Sequence, residues 1–196
     1  MPSLAGPALP AGVLRAMTQP RIDAGGGLLL RPWWPDDVPA LRTAFATPDI
    51  ARWHTRTLDD DAEARAWVEA WTGRWERETD ASWAVVRAGA EDVVLGQAGL
   101  RTIHLATATA QVSYWVTPAA RGAGVATRSA VAVRDWGIRR LGLQRVYLLH
   151  SVLNAPSCRV ADAAGFRPEG TLRDYLLHAD GWHDVHVHAT VRRDLR

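Results

Sequence analysis

An apolar strand, a loop with two glycines, a helix of small residues and a second apolar strand follow one another between residues 112 and 150. The first strand reads Val112-Ser113-Tyr114-Trp115-Val116, Pro118 stops it, and the loop is Arg121-Gly122-Ala123-Gly124. The helix runs from Gly124 to Leu141, where Gly142 ends it, and residues 144–150 form the second strand. Strand, helix and strand in this order predict a crossover with the two strands parallel and near neighbours. Glycines let the backbone approach another group, because no Cβ stands in the way. The helix start leaves unpaired N–H groups with partial positive charge aimed into the same loop. The combination is an anion cradle, best suited to phosphate.

The rest of the chain must build around that unit. Residues 28–31 predict a first strand, stopped by Pro32 and Pro35. Asp36 or Asp37 caps a helix to Ala46, with Val38, Leu41 and Phe45 at helical spacing. Residues 58–79 predict a long helix with Asp59, Asp60, Asp61 and Glu63 in its first turns, where the macrodipole favours acids. Trp67, Trp71 and Trp75 share one face of it, to pack on the core or to line a cleft. Residues 82–87, 93–105 and 107–116 predict three strands in an antiparallel meander. After the crossover, Asn154 caps a helix to Ala164, and strands 166–177 and 182–192 are joined by an Asp180-Gly181 turn. Residues 1–26, rich in Ala, Pro and Gly and without period, predict a loose tail, with one domain over 27–196. Met17 is a second candidate start of translation.

Composition excludes several classes. With 47% hydrophobic and 22% charged residues, the 196-residue chain is globular rather than disordered. A net charge of +2 is too mild to argue for specific nucleic-acid binding. No apolar run approaches the ~20 residues of a membrane span, and no signal peptide or membrane association is expected. The single Cys158 cannot form an intramolecular disulfide, so a reducing compartment, the cytoplasm, is expected. His183, His186 and His188 are spaced so that a strand splits them between faces, and no metal is expected.

The phosphate is narrowed by elimination. A nucleotide-hydrolysing P-loop needs Gly-Lys-Ser/Thr, and all 23 basic Lys+Arg residues are arginine. A dinucleotide fingerprint needs a third glycine near the start of an alternating α/β chain. Here Arg128 follows Ala126 by two, and the loop comes after a meander.

Arg121-Gly122-Ala123-Gly124-Val125-Ala126 resembles the Arg/Gln-x-x-Gly-x-Gly/Ala signature of the GNAT acyltransferases, which hold the pyrophosphate of coenzyme A. Tyr114-Trp115-Val116 precedes it and Leu141-Gly142-Leu143-Gln144-Arg145-Val146 follows its helix. Then come Asn154-x-x-Ser157-x-Arg159-Val160, Gly165-Phe166, Glu169-Gly170-Thr171-Leu172-Arg173 and Gly181-Trp182-x-Asp184. With the opening Leu29-Leu30-Arg31-Pro32 and Asp36-Asp37, this ordered set is similar to the RimJ/RimL-like branch that acetylates ribosomal-protein N-termini.

The resemblance implies an α/β (α+β) GNAT fold: a mixed, mostly antiparallel sheet of six to seven strands with a central V-shaped splay and helices on both faces. It implies an acetyl-CoA-dependent N-acetyltransferase whose acceptor is a protein N-terminus or a small-molecule amine. Pantetheine would lie between Tyr114, Trp115 and Val116 and the end of the following strand, with a Val116 N–H polarising the thioester carbonyl. Amides of Gly122, Ala123, Gly124, Val125 and Ala126, beside Arg121 and the Thr127 hydroxyl, would hold the pyrophosphate, and Asn154 the pantetheine arm. Arg159 and Arg128 are candidates for the 3′-phosphate. The family's tyrosine acid falls on Ala161 here, so Ser157 becomes the candidate acid. The branch's glutamate falls on Gln111, so His150 becomes the candidate base, with Asp174, His104 and Asp184 behind it. Trp33, Trp34, Trp67 and Trp71 are the candidate acceptor contacts. A larger donor such as succinyl-CoA, a non-catalytic acyl-CoA sensor, and the choice between monomer and homodimer stay open.

Overall fold

The structure, a computed structural model, describes residues 6–54 and 57–195. In chain order it contains β1 (Ile22–Gly25), β2 (Leu28–Arg31), α1 (Val38–Phe45), α2 (Pro48–Trp53) and α3 (Asp61–Glu76). The meander follows as β3 (Ala81–Arg87), β4 (Gly96–His104) and β5 (Thr109–Val116). After it come α4 (Val125–Trp136), a π-helical turn at Gly137–Leu141, β6 (Arg145–Ser151), α5 (Ala155–Ala163), β7 (Arg167–His178) and β8 (Gly181–Val191). The strands form one sheet in the order β1-β2-β3-β4-β5-β6-β8-β7. Among the described residues only β5 and β6 pair in parallel, as the crossover requires.

The eight strands exceed the expected six to seven by one, and the extra strand lies in the expected loose tail. Gly25, Gly26 and Gly27 all have positive φ and turn a hairpin that lays β1 on β2. Upstream, Leu14 is fully buried, and the Gly12 and Leu14 N–H groups each donate to the Glu78 carboxylate at 2.6 Å. The indole N–H groups of Trp75 and Trp83 donate to the Met17 and Pro20 carbonyls. Residues 6–26 are therefore packed on the domain. Side chains from elsewhere in the chain hold the backbone at Gly12, Leu14, Met17 and Pro20, and the Ala8 and Leu9 N–H groups donate to the Ala106 and Leu105 carbonyls. Residues 1–5 of the expected tail lie outside the described residues.

Strand alternation sorts the core into two layers. Leu100, Val112, Val146 and Leu148 face α4 and α5, with Val133 and Phe166. Trp115, Ala84 and Val86 face α1–α3, with Leu41, Phe45, Val68 and Trp71. Gly137 lets the end of the crossover helix sit close on the sheet, since a Cβ there would meet Leu143 and Leu100 at 3.0 and 3.1 Å. At the start of the domain, Arg31 and Asp37 are buried and share two hydrogen bonds of 2.7 Å, which anchor the turn into α1. The Arg31 guanidinium also stacks on Trp34, 3.5 Å from its ring centre.

The central gap follows from the register. Parallel pairing of β5 with β6 runs from Thr109↔Arg145 to Val112↔Leu148 and stops. Beyond it, β5 stays paired with β4 up to Gly96↔Val116, and β6 with β8 up to Ser151↔Val185. The two strands thus diverge over their last residues, each held by its outer neighbour, and form the expected V.

Candidate active site

The cradle sits at the mouth of that V. Gly122 and Gly124 have φ of +77° and +71°, a region that favours glycine. Gly124 is the N-cap of α4 and offers no side-chain cap, so the first-turn N–H groups of Val125, Ala126 and Thr127 have no partner within the helix. Space beside Gly122 is open, and beside Gly124 only the Arg128 guanidinium comes near, at 3.7 Å. A phosphate fits this site: free donors, positive dipole and no Cβ in the way. Arg128 also donates to the Ala123 carbonyl, which keeps its charge over the loop. Arg121 points elsewhere: it pairs with Asp49 of α2 at 2.7 Å, and so fastens the loop rather than the anion.

Backbone polarity in the V follows from one hydrogen bond. The Thr117 N–H donates to Leu95 on the β4 side. N–H directions alternate along a strand, so the N–H groups of Val116 and Tyr114 point toward β6, where pairing has ended. Val116 thus presents a donor inside the V. Trp115 does not: its indole packs on the other face against Trp33 and Phe45, with ring centres 6.3 and 6.1 Å away.

Helix α5 closes the cradle side. Asn154 is its N-cap, and its Oδ1 accepts the Ser157 N–H at 3.1 Å. The capping task is therefore done by Asn154, and the half-buried Ser157 hydroxyl is spared it. Tyr114 reaches the same place from β5, its hydroxyl 3.5 Å from the Ser157 carbonyl. Burial pushes the Tyr114 phenol up to about 12, against a smaller downward pull from a hydrogen bond with Ser157. Tyr114 is thus protonated beside Ser157. Arg159 is exposed on α5.

The opposite face holds a small cavity of about 60 Å³, lined by residues that include Phe45, His54, Trp67, Trp71, Arg74 and Arg101, and by Ser113, Tyr114 and Trp115 of β5. Trp67 packs edge-on to Trp33 and Trp71, with ring centres 5.0 and 4.9 Å apart. Trp67 and Trp71 are thus both core and cavity wall. Trp33 backs them, and Trp34 lies outside the cavity, under Arg31. The buried indole N–H groups of Trp71 and Trp115 have no partner. Burial, and then the nearby Arg101 charge, lower the His54 pKa to about 4, so it is neutral. A larger groove of about 860 Å³ lies along α4 and residues 17–24 and is lined by Thr127 and Arg128 at its cradle end. It does not open from the V.

Two histidine groups flank the end of β6, and they correct the sequence reading. His150 shares the face of Val146 and Leu148, beneath α5, with its ring nitrogens against the Ser151 carbonyl and His188. Burial holds it below the usual histidine pKa. It does not face the small cavity, because residue 150 is even and the cavity side of β6 is odd. Ser151 does lie on the cavity side, and its Oγ is 2.8 Å from Nδ1 of His183. Nε2 of His183 is 2.9 Å from Asp180. This Ser–His–Asp relay was hidden in the sequence because its members come from β6, β8 and the turn between β7 and β8. His186 and His188, two apart on β8, share a face after all, and His150 and Cys158 join them. Asp184 accepts the Asp174 N–H within the β7–β8 hairpin, and His104 is exposed on β4.

The family described as Acetyltransferase (GNAT) domain matches residues 27–167. The chain belongs to the GNAT acetyltransferase family. It is therefore an N-acyltransferase by family. Among curated relatives, the uncharacterized N-acetyltransferase YoaA of Bacillus subtilis (strain 168) is 22% identical over 166 residues, 84% of this chain and 93% of YoaA. Among solved structures, a RimL ribosomal L7/L12 α-N-protein acetyltransferase in complex with coenzyme A superposes with TM-score 0.80, at 20% identity over 88% of this chain and 98% of that one. Mycobacterium smegmatis RimJ, in complex with a CoA disulfide, gives TM-score 0.78 at 23% identity over 89% and 86%. Among the described residues no helix is long and apolar enough to cross a membrane.

Proposed function

We propose that this GNAT protein transfers the acetyl group of acetyl-CoA directly to the α-amine of a polypeptide N-terminus, in the cytoplasm. The observation that carries the reading is the uncapped α4 N-terminus, with its two positive-φ glycines, at the mouth of a V whose inner edge presents the Val116 N–H. Bound acetyl-CoA supplies an activated thioester there. The chain's own residues do the rest. Amides of Gly122, Ala123, Gly124, Val125 and Ala126, with the Thr127 hydroxyl, hold the pyrophosphate, and Arg128 and Arg159 stand ready for the 3′-phosphate. The Val116 N–H stabilises the carbonyl oxygen as negative charge develops. Ser157, backed by the protonated Tyr114, returns a proton to the departing sulfur.

Proton removal from the amine falls to the relay. Asp180 accepts from His183 Nε2–H, which leaves the lone pair on Nδ1 for the Ser151 hydroxyl proton. Ser151 Oγ takes the amine proton as its own passes to His183. Extending the β5–β6 register sets Ser151 opposite Trp115, at the level of Val116.

Charge favours an α-amine over an alkylamine. Arg74 and Arg101 line the cavity, and no carboxylate does among the described residues. That potential disfavours a protonated amine. An α-amine, at about 7.7–8.0, loses its proton far more readily than a lysine-like amine near 10.4. The name of the RimL structure, an α-N-protein acetyltransferase, agrees with such an acceptor.

The test is a panel of N-terminal peptides, amino-sugars and diamines with acetyl-CoA and succinyl-CoA, read by thiol release and product mass. Turnover with acetyl-CoA and free N-terminal peptides is expected. Tight acetyl-CoA binding without turnover on any acceptor would make the chain a sensor, and turnover restricted to small amines would move the acceptor.

A further inference from the structure

Beneath α5, on the side of the sheet away from the acceptor cavity, four side chains with metal-binding atoms converge from three elements. His150 comes from β6, His186 and His188 from β8, and Cys158 from α5. Their ligand atoms all lie within 4.8 Å of one another. The strand register explains the meeting. His150 and His186 are directly paired across β6 and β8, and His188 is two residues on, on the same face. Cys158, one turn into α5, comes down onto them.

The hydrogen bonding of the imidazoles points to a shared cation. Nδ1 of His150 lies 2.8 Å from the Ser151 carbonyl, which can only accept, so Nδ1 carries the proton and Nε2 the lone pair. That lone pair faces Nε2 of His188 at 3.3 Å. With zinc–nitrogen bonds of about 2.0–2.1 Å, two nitrogens of a tetrahedral site stand about 3.3–3.4 Å apart. Without a cation, His188 must donate from Nε2, and its buried Nδ1 lone pair then has no partner. With a cation, both Nε2 lone pairs bind it, and the proton moves to His188 Nδ1, facing Asp162 at 3.9 Å. A carboxylate behind a ligating histidine is the usual second layer of such sites.

We propose that His150, His186, His188 and Cys158 bind one divalent cation of the zinc class, tetrahedrally, and that it pins α5 to β6 and β8. Three imidazoles and one thiolate form a closed N3S set, the pattern of a structural rather than a catalytic site. Cys158 gives up its thiol proton to solvent on binding. The cation holds the helix that carries Asn154 and Ser157, and the site stands whether or not the acceptor assignment does.

The test uses the full chain, stripped with a chelator and then titrated with Co²⁺ and Zn²⁺. One equivalent of Co²⁺ is expected to give the intense visible bands of tetrahedral cobalt and a thiolate-to-cobalt charge-transfer band, and Zn²⁺ is expected to displace it and raise Tm. Cys158→Ser is expected to remove the charge-transfer band, and His188→Ala the tetrahedral spectrum. Asp162→Asn should weaken binding about ten-fold. Far-UV circular dichroism of each metal-free variant checks the fold. Octahedral cobalt spectra, binding without defined stoichiometry, or uptake unchanged in both Cys158→Ser and His188→Ala would each overturn the proposal.

Discussion

Ser151 Oγ lies 2.8 Å from Nδ1 of His183, although 32 residues separate them in the chain. The antiparallel pairing of β6 with β8 brings them together, and Asp180 fixes the other imidazole nitrogen. In the proposed reaction this relay takes a proton from the acceptor amine. His183→Gln is expected to lower kcat by about 10²–10⁴-fold. The loss should shrink as pH rises and the amine deprotonates unaided. A His183→Gln profile parallel to wild type across the pH range would remove the relay from the reaction.

Gly124 sits at φ +71° where the first turn of α4 opens. Gly124→Val forces a branched side chain into that region at a cost of about 1–3 kcal/mol, and puts a Cβ beside the free amides. KM for acetyl-CoA should rise at least about ten-fold, as expected for roughly 1.4 kcal/mol of lost binding, while KM for the acceptor holds. Equal changes in both constants would mean that the loop does not seat the donor alone.

Asn154 and Ser157 separate two tasks that one residue often shares. Asn154→Ala removes the cap of α5 and should cost about 1 kcal/mol of stability. Ser157→Ala leaves that cap in place, so Tm should hardly move while kcat falls. If Ser157→Ala lowers Tm and spares kcat, the serine is structural and Tyr114 alone serves the leaving group; Tyr114→Phe then becomes the informative variant.

Glu78 holds residues 6–20 against α3 and β3. Burial works to raise its pKa, but the N–H groups of Gly12, Leu14 and Arg15, with the Arg15 charge, outweigh burial and hold it below the ordinary 4.5. A depressed folded-state pKa gives stability that is complete above the unfolded value and is lost as pH falls through the folded one. Wild type should therefore lose stability progressively as pH falls below that ordinary value of 4.5. Glu78→Gln should cost about 1.5–3 kcal/mol at pH 7 through its weakened hydrogen bonds, and the difference should fade in acid. Thermal melts of both proteins from pH 7 to pH 3 measure it.

The cradle and the crossover were legible in the sequence because they are local. Gly122, Gly124 and the following helix are consecutive, and their geometry follows from backbone sterics and dipole alone. The cap by Asn154 was legible for the same reason. The N-terminal segment was not, since Leu14 is its one fully buried residue and other restraints come from Glu78, Trp75 and Trp83, 58 to 64 residues away in the chain. The acid–base assignments were harder still. His150 and His183 differ only by the strand face that each occupies, and the register that sets it is a long-range property.

By itself the sequence determined an anion cradle at the start of the crossover helix, because adjacent residues with fixed conformational limits build that seat. Which residues meet across the V was decided only by the tertiary structure. A one-residue shift in the pairing of β6 with β8 would send every side chain of a strand to the other layer. The observed register puts Ser151 and His183 on the α1–α3 side of the sheet and gathers His150, His186, His188 and Cys158 beneath α5.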